Sequence, residues 1–489
     1  MRRALIAVLA VLLAGCARGP DVETLKADAE RRLAAALPAG TVAIDVLERR
    51  GSQSDTKAPA GEKRRIVYYD VVLRLERDFD FGAWDSPGTA GLVSALGAGP
   101  KGVAGITSGG NKAGDRLYVH GTALYAREEH RWVGVAPAGF RPVAAPSYAA
   151  NAAEGPAAVL EAMRAIVESI PAGASRAERE AIEQELLTAH AAIRGRLARL
   201  AEGYAVAAGP EHGQYLRLAR ALAAGSDVRI VPLVTRGGEE NLRLLHEGKV
   251  TLALAQGDAA LDALQGTGNF SADGPYATLQ AVGSLYPEPV HVLVRGDSAF
   301  SAIEDLKGGR VVVGVEGSAS RATALRVLAA HGLEPPDIVL VGMALGDGLV
   351  AVRDGRADAV IQIIGVPADS VRDALAEVPL RLLPLSKRAV ERLVAAKAGY
   401  FAYTIPRGTY ATQAEDVRTI ATAALLLAGA GLSEAEVGRI ARLVFRQGRD
   451  LAARGSAQGT QVSAANARQG LSVPLHRAAA SAIDAMAAR

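Results

Sequence analysis

Residues 285–320, LYPEPVHVLVRGDSAFSAIEDLKGGRVVVGVEGSAS, decide the fold: they spell a strand, a short polar helical turn, a second strand, and a Gly-Ser turn that opens a helix. The apolar run 290–294 suits a buried strand, residues 302–306 fit one helical turn behind a Ser301 cap, and residues 310–315 are rich in β-branched side chains. Gly317, Ser318 and Ser320 precede the helical stretch 322–330, which puts backbone N–H groups and two hydroxyls at a helix N-terminus, where anions are stabilised. The Gly-x-x-x-x-Gly-Lys spacing of a phosphate-binding loop is missing, so the turn reads as a small-anion cradle or as ordinary helix capping, not as a nucleotide loop.

The same alternation continues upstream. Strands are expected over 204–208, 228–234 and 252–256, with helices over 214–224 and 242–247 between them. Each strand runs into a small or polar turn: Gly209-Pro210-Glu211-His212-Gly213, then Arg236-Gly237-Gly238-Glu239-Glu240-Asn241, then Gly257-Asp258. In open α/β sheets, turns at the carboxyl ends of parallel strands are where ligands sit. The fold class is therefore α/β.

The first third has a different rhythm. A helix over 21–37 carries Val22, Leu25, Ala29, Leu33 and Leu37 on one face, and strands follow over 41–47, 64–75, 116–125 and 131–135 with loops at 51–63 and 97–114. Residues 21–145 thus make a small α+β domain of unreadable role, in which Trp84, Trp132, Tyr68 and Tyr69 are core rather than pocket. Residues 146–202 form a helical linker. One helix covers 157–170, and a capping box at Ser175 and Glu178 starts another that runs to Leu200. Its stripe of Ile182, Leu186, Ala189, Ile193, Leu197 and Leu200 is expected to pack against the protein, with an interdomain spacer or a dimer seam as alternatives.

Composition removes several function classes. The 489 residues are 49% hydrophobic with net charge +3, enough for roughly two to three domains. Lys and Arg total 55 against 52 acids with no long basic block, and aromatics are only 4%, so nucleic acid is not an expected partner. There are eight His, but no His-Glu-x-x-His, no Gly-x-Ser-x-Gly and no cysteine nucleophile. No enzyme, no metal and no cofactor is expected.

The single cysteine is informative by position. Arg2 and Arg3 precede an apolar stretch 4–13 too short to span a bilayer, and Leu13-Ala14-Gly15-Cys16 resembles a bacterial lipobox. That resemblance implies that residues 1–15 are a signal peptide, that Cys16 is lipidated, and that residues 16–20 tether an extracytoplasmic protein to a membrane. Plain secretion is the alternative. Ala17 favours the outer membrane under the sorting habit of enteric lipoproteins.

The later phrases carry a family resemblance. Gly237-Gly238-Glu239-Glu240-Asn241-Leu242-Arg243-Leu244-Leu245, Ser284-Leu285-Tyr286-Pro287-Glu288-Pro289-Val290-His291, Asp305-Leu306-Lys307-Gly308, Asp354-Gly355-Arg356-Ala357-Asp358-Ala359, Ile405-Pro406-Arg407-Gly408-Thr409-Tyr410 and Val473-Pro474-Leu475-His476 resemble, in order, TAXI-type solute receptors of TRAP transporters. The resemblance covers 204–476 and implies a two-lobed periplasmic-binding-protein fold that closes on a small solute, with membrane permease subunits as partners. Lobe one would comprise 203–293 and 396–489, lobe two 294–395, with crossings at 287–294 and 395–404. The site residues it points to are Gly238, Glu239, Gln256, Asp258, Tyr286, Gly317, Ser318 and Ser320. The loop 207–213 departs from the family's Gly- and Thr-rich pattern, which puts Glu211 and His212 beside the ligand. Arg236 and Arg321 would pair with a carboxylate, and Glu211 or Asp258 with an ammonium, so the solute is expected to be a small organic acid or an amino acid. A ligand-sensing or scaffolding lipoprotein is the alternative function.

Overall fold

A computed structural model describes residues 19–136 and 176–487, apart from 57, 59–61, 85, 87, 100–101, 129–130, 412 and 447–450. The expected signal peptide, Cys16 and the helix over 157–170 lie outside the described residues. Among the described residues no helix is long and apolar enough to cross a membrane.

The chain begins with helix α1 (Val22–Ala36), started by Asp21, whose carboxylate accepts from the Thr24 N–H at 2.8 Å. Leu25, Ala29 and Leu33 bury its inner face. Strands β1 (Val42–Ser54) and β2 (Arg64–Leu75) pair antiparallel, and helix α2 (Gly88–Leu96) comes next. Strands β3 (Val103–Ala104), β4 (Arg116–Glu128) and β5 (Arg131–Ala136) complete a five-stranded sheet of order β1-β2-β4-β3, with β5 also on β4. Strand β2 alternates buried and half-buried residues as a one-sided sheet should. Two differences from the sequence reading stand out. Strand β1 continues through the polar stretch expected as a loop, because Gln53 and Ser54 pair with Ile66 and Arg65. And α2, where no element was expected, is buried at every position, the state of a helix enclosed on all sides.

Helix α2 is enclosed because the domain is docked. The Ser94 hydroxyl donates to the Thr409 carbonyl at 2.8 Å, Thr89 bonds Thr460 at 2.7 Å, and the Tyr403 hydroxyl donates to the Trp84 carbonyl at 2.5 Å. Trp84 stacks on Phe401 at 5.9 Å, so its burial belongs to the domain junction. Tyr69 is core as expected, with its hydroxyl on the Leu96 carbonyl at 2.7 Å.

Helix α3 (Arg176–Glu202) follows. Its expected packing stripe is corrected: Leu197 is 44% exposed and Leu200 62% exposed. What anchors the helix is a buried ion pair at its end, Arg199 Nε and Nη2 on Glu436 at 2.8 and 2.9 Å. Arg199 and the Ser433 N–H hold the Glu436 carboxyl down at about 2 against the opposing effect of burial.

From here strand and helix alternate: β6 (Tyr204–Gly209), α4 (Gln214–Ala224), β7 (Ile230–Val234), α5 (Gly238–His246), β8 (Leu252–Gln256), α6 (Gly257–Gln265) and the long β9 (Gln280–Arg295). A second series runs β10 (Arg310–Val312), α7 (Ala319–Ala330), β11 (Val339–Val341), α8 (Leu345–Arg353), β12 (Ala359–Ile363), α9 (Asp369–Glu377), β13 (Leu380–Leu382) and α10 (Lys387–Ala395). Strands β14 (Phe401–Ile405) and β15 (Val417–Ala428) and helices α11 (Glu434–Phe445) and α12 (Arg477–Ala487) end the chain.

One ten-stranded sheet of order β11-β10-β12-β9-β15-β8-β6-β7, with β13 also on β9 and β14 also on β15, carries both series. Within each series three strands are parallel, β6 with β7 and β8, and β10 with β11 and β12, while β9 and β13 pair antiparallel. Strand β9 joins them. Its first part pairs with β15, through Pro289↔Ala421, and its second with β12, from Val290↔Ile363 to Val294↔Ala359. The apolar side chains fall into separate cores, one around Leu216, Leu254 and Phe445, the other around Val292, Val311 and Ile361. The fold is two-lobed α/β. Strand β14 packs Tyr403 and Ile405 with second-lobe residues, and β15 carries the chain back along β9.

Candidate functional site

The carboxyl ends of β6, β7, β8, β10 and β12 converge on a cleft between the lobes, enclosing a cavity of about 580 Å³. That size falls in the range of small-molecule sites. Its floor is set by helix starts. The N-termini of α4 and α5, at Gly213 and Gly237, have no side-chain cap, so first-turn N–H groups are free of side-chain competition there, whereas at the start of α6 the Asp258 N–H donates to the Thr422 hydroxyl at 3.1 Å. Gly237 turns the chain with φ of +133°, a conformation side chains resist.

Arg236, Gly238, Glu239, Gln256, Gly317, Ser318 and Ser320 all line this cavity. Gln256 is 6% exposed and its Oε1 has no hydrogen-bond partner among the described residues. Burial raises the Glu239 carboxyl, against the Asn269 amide that donates to it at 2.7 Å. Ser318 is spoken for: it caps α7 by accepting from the Arg321 N–H at 3.3 Å and donates to the Val315 carbonyl at 2.8 Å. Ser320 accepts from Gln362 Nε2 at 2.9 Å. Arg236 is exposed, 3.4 Å from Glu240.

The remaining expected residues lie elsewhere. Glu211 is exposed and pairs with Arg220 at 2.8 Å, and His212 is also exposed. Arg321 does not reach the cavity wall. Tyr286 is fully buried beside Tyr215, ring centroids 6.5 Å apart. Asp258 is 1% exposed and accepts from Thr323 and, at 2.7 Å, from Tyr400. Its carboxyl is pushed up by burial, against those hydrogen bonds.

Several cleft residues escaped the sequence reading. Glu288 lines the cavity from β9, and burial lifts its carboxyl to about 8 although the Tyr215 hydroxyl donates to it at 2.6 Å. It is a neutral acid at pH 7, a donor as well as an acceptor. Gln214 joins the lobes: its Nε2 donates to the Gly365 carbonyl at 2.8 Å and its Oε1 accepts from the Gly365 N–H at 2.9 Å. Arg217 pairs with Asp369 at 3.3 Å and Arg326 with Asp262, both across the cleft. These contacts link the two lobes across the cleft. These positions share no motif: Glu288 comes from β9, Gln214 and Arg217 from α4 and Arg326 from α7, and each takes its role from what faces it.

Among the described residues no group of His, Cys, Asp and Glu is arranged to hold a metal ion. Donors at helix starts and a neutral Glu288 suit a small ligand carrying an oxyanion, while the unfilled Gln256 Oε1, an acceptor, suits a donor such as an ammonium on the same ligand.

Residues 206–482 match the model of the NMT1-like family. Solved structures that match part of the chain include the periplasmic aliphatic sulphonate binding protein SsuA of Escherichia coli, 19% identical, covering 57% of this chain and 83% of its own, with a TM-score of 0.33. The alkanesulfonate-binding protein SsuA of Xanthomonas axonopodis pv. citri, bound to MOPS, is 20% identical, covering 58% of this chain and 91% of its own, TM-score 0.33. The substrate binding protein of an amino acid ABC transporter is 15% identical, covering 45% and 84%, TM-score 0.27.

Proposed function

The chain belongs to the NMT1-like family, and from that premise we propose that it is an extracytoplasmic receptor that captures a small organic acid or amino acid by closing its lobes and hands it to a membrane permease. In this reading the permease is of TRAP type, as the ordered phrases of the second half imply, and a lipid on Cys16 tethers the receptor in the periplasm. The observation that carries it is the buried, partnerless Gln256 Oε1 in a cavity ringed by uncapped helix starts. A cleft with unfilled polar groups is built for a ligand that supplies their partners.

The ligand's carboxylate is held by backbone N–H groups, because Arg236 is exposed beside Glu240 and Arg321 lies off the cavity wall, while Gln256 Oε1 accepts from the ligand's donor group. Glu239 is the acid placed to meet an ammonium. Isothermal titration of the full chain with a panel of small carboxylates and amino acids tests this. At least one member should bind saturably, and Gln256→Ala should weaken it about tenfold, the loss of one hydrogen bond to a charged group, with no fall in Tm. Binding by none of the panel would overturn the proposal.

A sensing role is the second reading, favoured by one observation. The N-terminal domain touches both lobes: the Arg372 guanidinium of α9 donates to the Ala98 carbonyl at 3.3 Å, and the Asn466 amide of the first lobe donates to the Gly82 carbonyl at 3.2 Å. A change in lobe angle therefore reaches that domain directly.

A further inference from the structure

A second cavity lies at the junction of the N-terminal domain with the second lobe, away from the cleft. It encloses about 520 Å³ between α1, α2 and β5 on one side and α9 and the turn around Gly408 on the other. Its walls are mostly small or apolar, among them Ala35, Ala36, Ala95, Leu375 and Tyr410. Its charges are mainly basic. Arg31, Arg32, Arg372 and Arg407 line it against the single acid Asp28.

The state of these charges is what matters. Asp28 is taken by Arg31, and Arg372 is held by Asp369 and Asp373, each at 3.2 Å. Arg32 has no such partner among the described residues: its Nε and Nη2 are buried without a hydrogen bond. Buried guanidinium N–H groups left unfilled destabilise a fold, so their retention points to something that accepts from them. Two adjacent N–H groups on one edge of a guanidinium match the two oxygens of a carboxylate. The apolar walls match a hydrocarbon body.

We propose that this cavity is a second ligand site, for a small amphiphilic carboxylate whose head group is gripped by Arg32 and whose apolar body lies against Ala35, Ala95 and Leu375. The occupant bridges α1 to α9 and so joins the N-terminal domain to the second lobe. It also touches Tyr410, whose hydroxyl bonds His291 Nε2 at 2.7 Å on the crossing strand β9. His291 stands opposite Gln362 in the sheet, and Gln362 lines the cleft.

The test is isothermal titration of the full chain with hexanoate, benzoate and inorganic phosphate at matched ionic strength. The wild type, Arg32→Met, Ala35→Phe at the exposed rim, and Gln256→Ala in the cleft are compared. Hexanoate or benzoate should bind the wild type; Arg32→Met should weaken this at least tenfold, Ala35→Phe should abolish it, and Gln256→Ala should leave it within twofold. Without ligand, Arg32→Met should melt no lower than the wild type, since it removes an unfilled buried charge. Absence of carboxylate binding, equal binding by Arg32→Met, or binding that only Gln256→Ala removes would each overturn the site. Should Arg32→Met fail to fold, undiminished binding by Ala35→Phe would do the same. Phosphate binding as tight as hexanoate would overturn the amphiphilic class.

Discussion

Substituting Glu288 by glutamine should stabilise the protein at neutral pH and leave it unaffected in acid. The side chain is 4% exposed on β9, and burial raises its carboxyl from 4.5 to about 8. An acid whose folded value lies above its unfolded one binds protons more tightly when folded, so stability is greatest below pH 4.5 and falls as pH climbs toward 8. Each pH unit in that interval costs about 1.4 kcal/mol, which makes the cost about 3 kcal/mol by pH 7 and close to 5 kcal/mol by pH 9. Glu288→Gln cannot ionise, yet keeps an oxygen to accept from the Tyr215 hydroxyl. Tyr215 is held well above its ordinary range by burial and by Glu288, so it remains a donor throughout. Urea unfolding of both proteins at pH 4, 7 and 9 reads the difference, expected near zero, about 3 and about 5 kcal/mol respectively. A difference constant across the three pH values would refute the idea that a buried carboxyl sits at this point of the cleft.

The neighbouring His291 should act in the opposite sense. Burial lowers it from 6.5 to about 4, so the stability it allows is present above pH 6.5 and is lost as pH falls toward 4, by about 3 kcal/mol; His291→Gln should flatten thermal melts across that window, and an unchanged acid limb would refute it. At the domain junction, Trp84→Ala should cost about 3–5 kcal/mol and split a single calorimetric transition in two, because the lost ring stacks on Phe401 across the junction; one shifted, unsplit peak would argue that the docking rests on other contacts.

What could be read in the sequence followed the periodicity of the chain. Strands 64–75 and 252–256 and helix 214–224 were expected at their observed bounds, since each carries a regular apolar pattern and ends at a turn. Helix α2 was invisible because burial on every side leaves Gly88–Leu96 with no polar face and hence no period. Helix α3 misled in the other direction: its stripe is real in sequence, yet Leu197 and Leu200 remain exposed. In the cleft, residues inside turns with helix-start character, such as Gly238 and Gln256, were legible. Asp258 had the same signature but faces Thr323 and Tyr400 instead. Glu288 carried no signal, because only the Tyr215 hydroxyl from α4 and the enclosing lobes make a glutamate in a strand into a buried acid.

The enclosure of α2 sets a schedule for the ribosome. Thr89 finds its partner Thr460 only after 371 more residues are made. At about 5–20 residues per second that is roughly 20 to 75 s during which one face of a finished helix has nothing to cover it. The first domain must therefore wait, already folded or held by a chaperone, for the last part of the chain to arrive. A truncation that ends before β14 should leave that face bare and yield an aggregating product, however well its five-stranded sheet is formed.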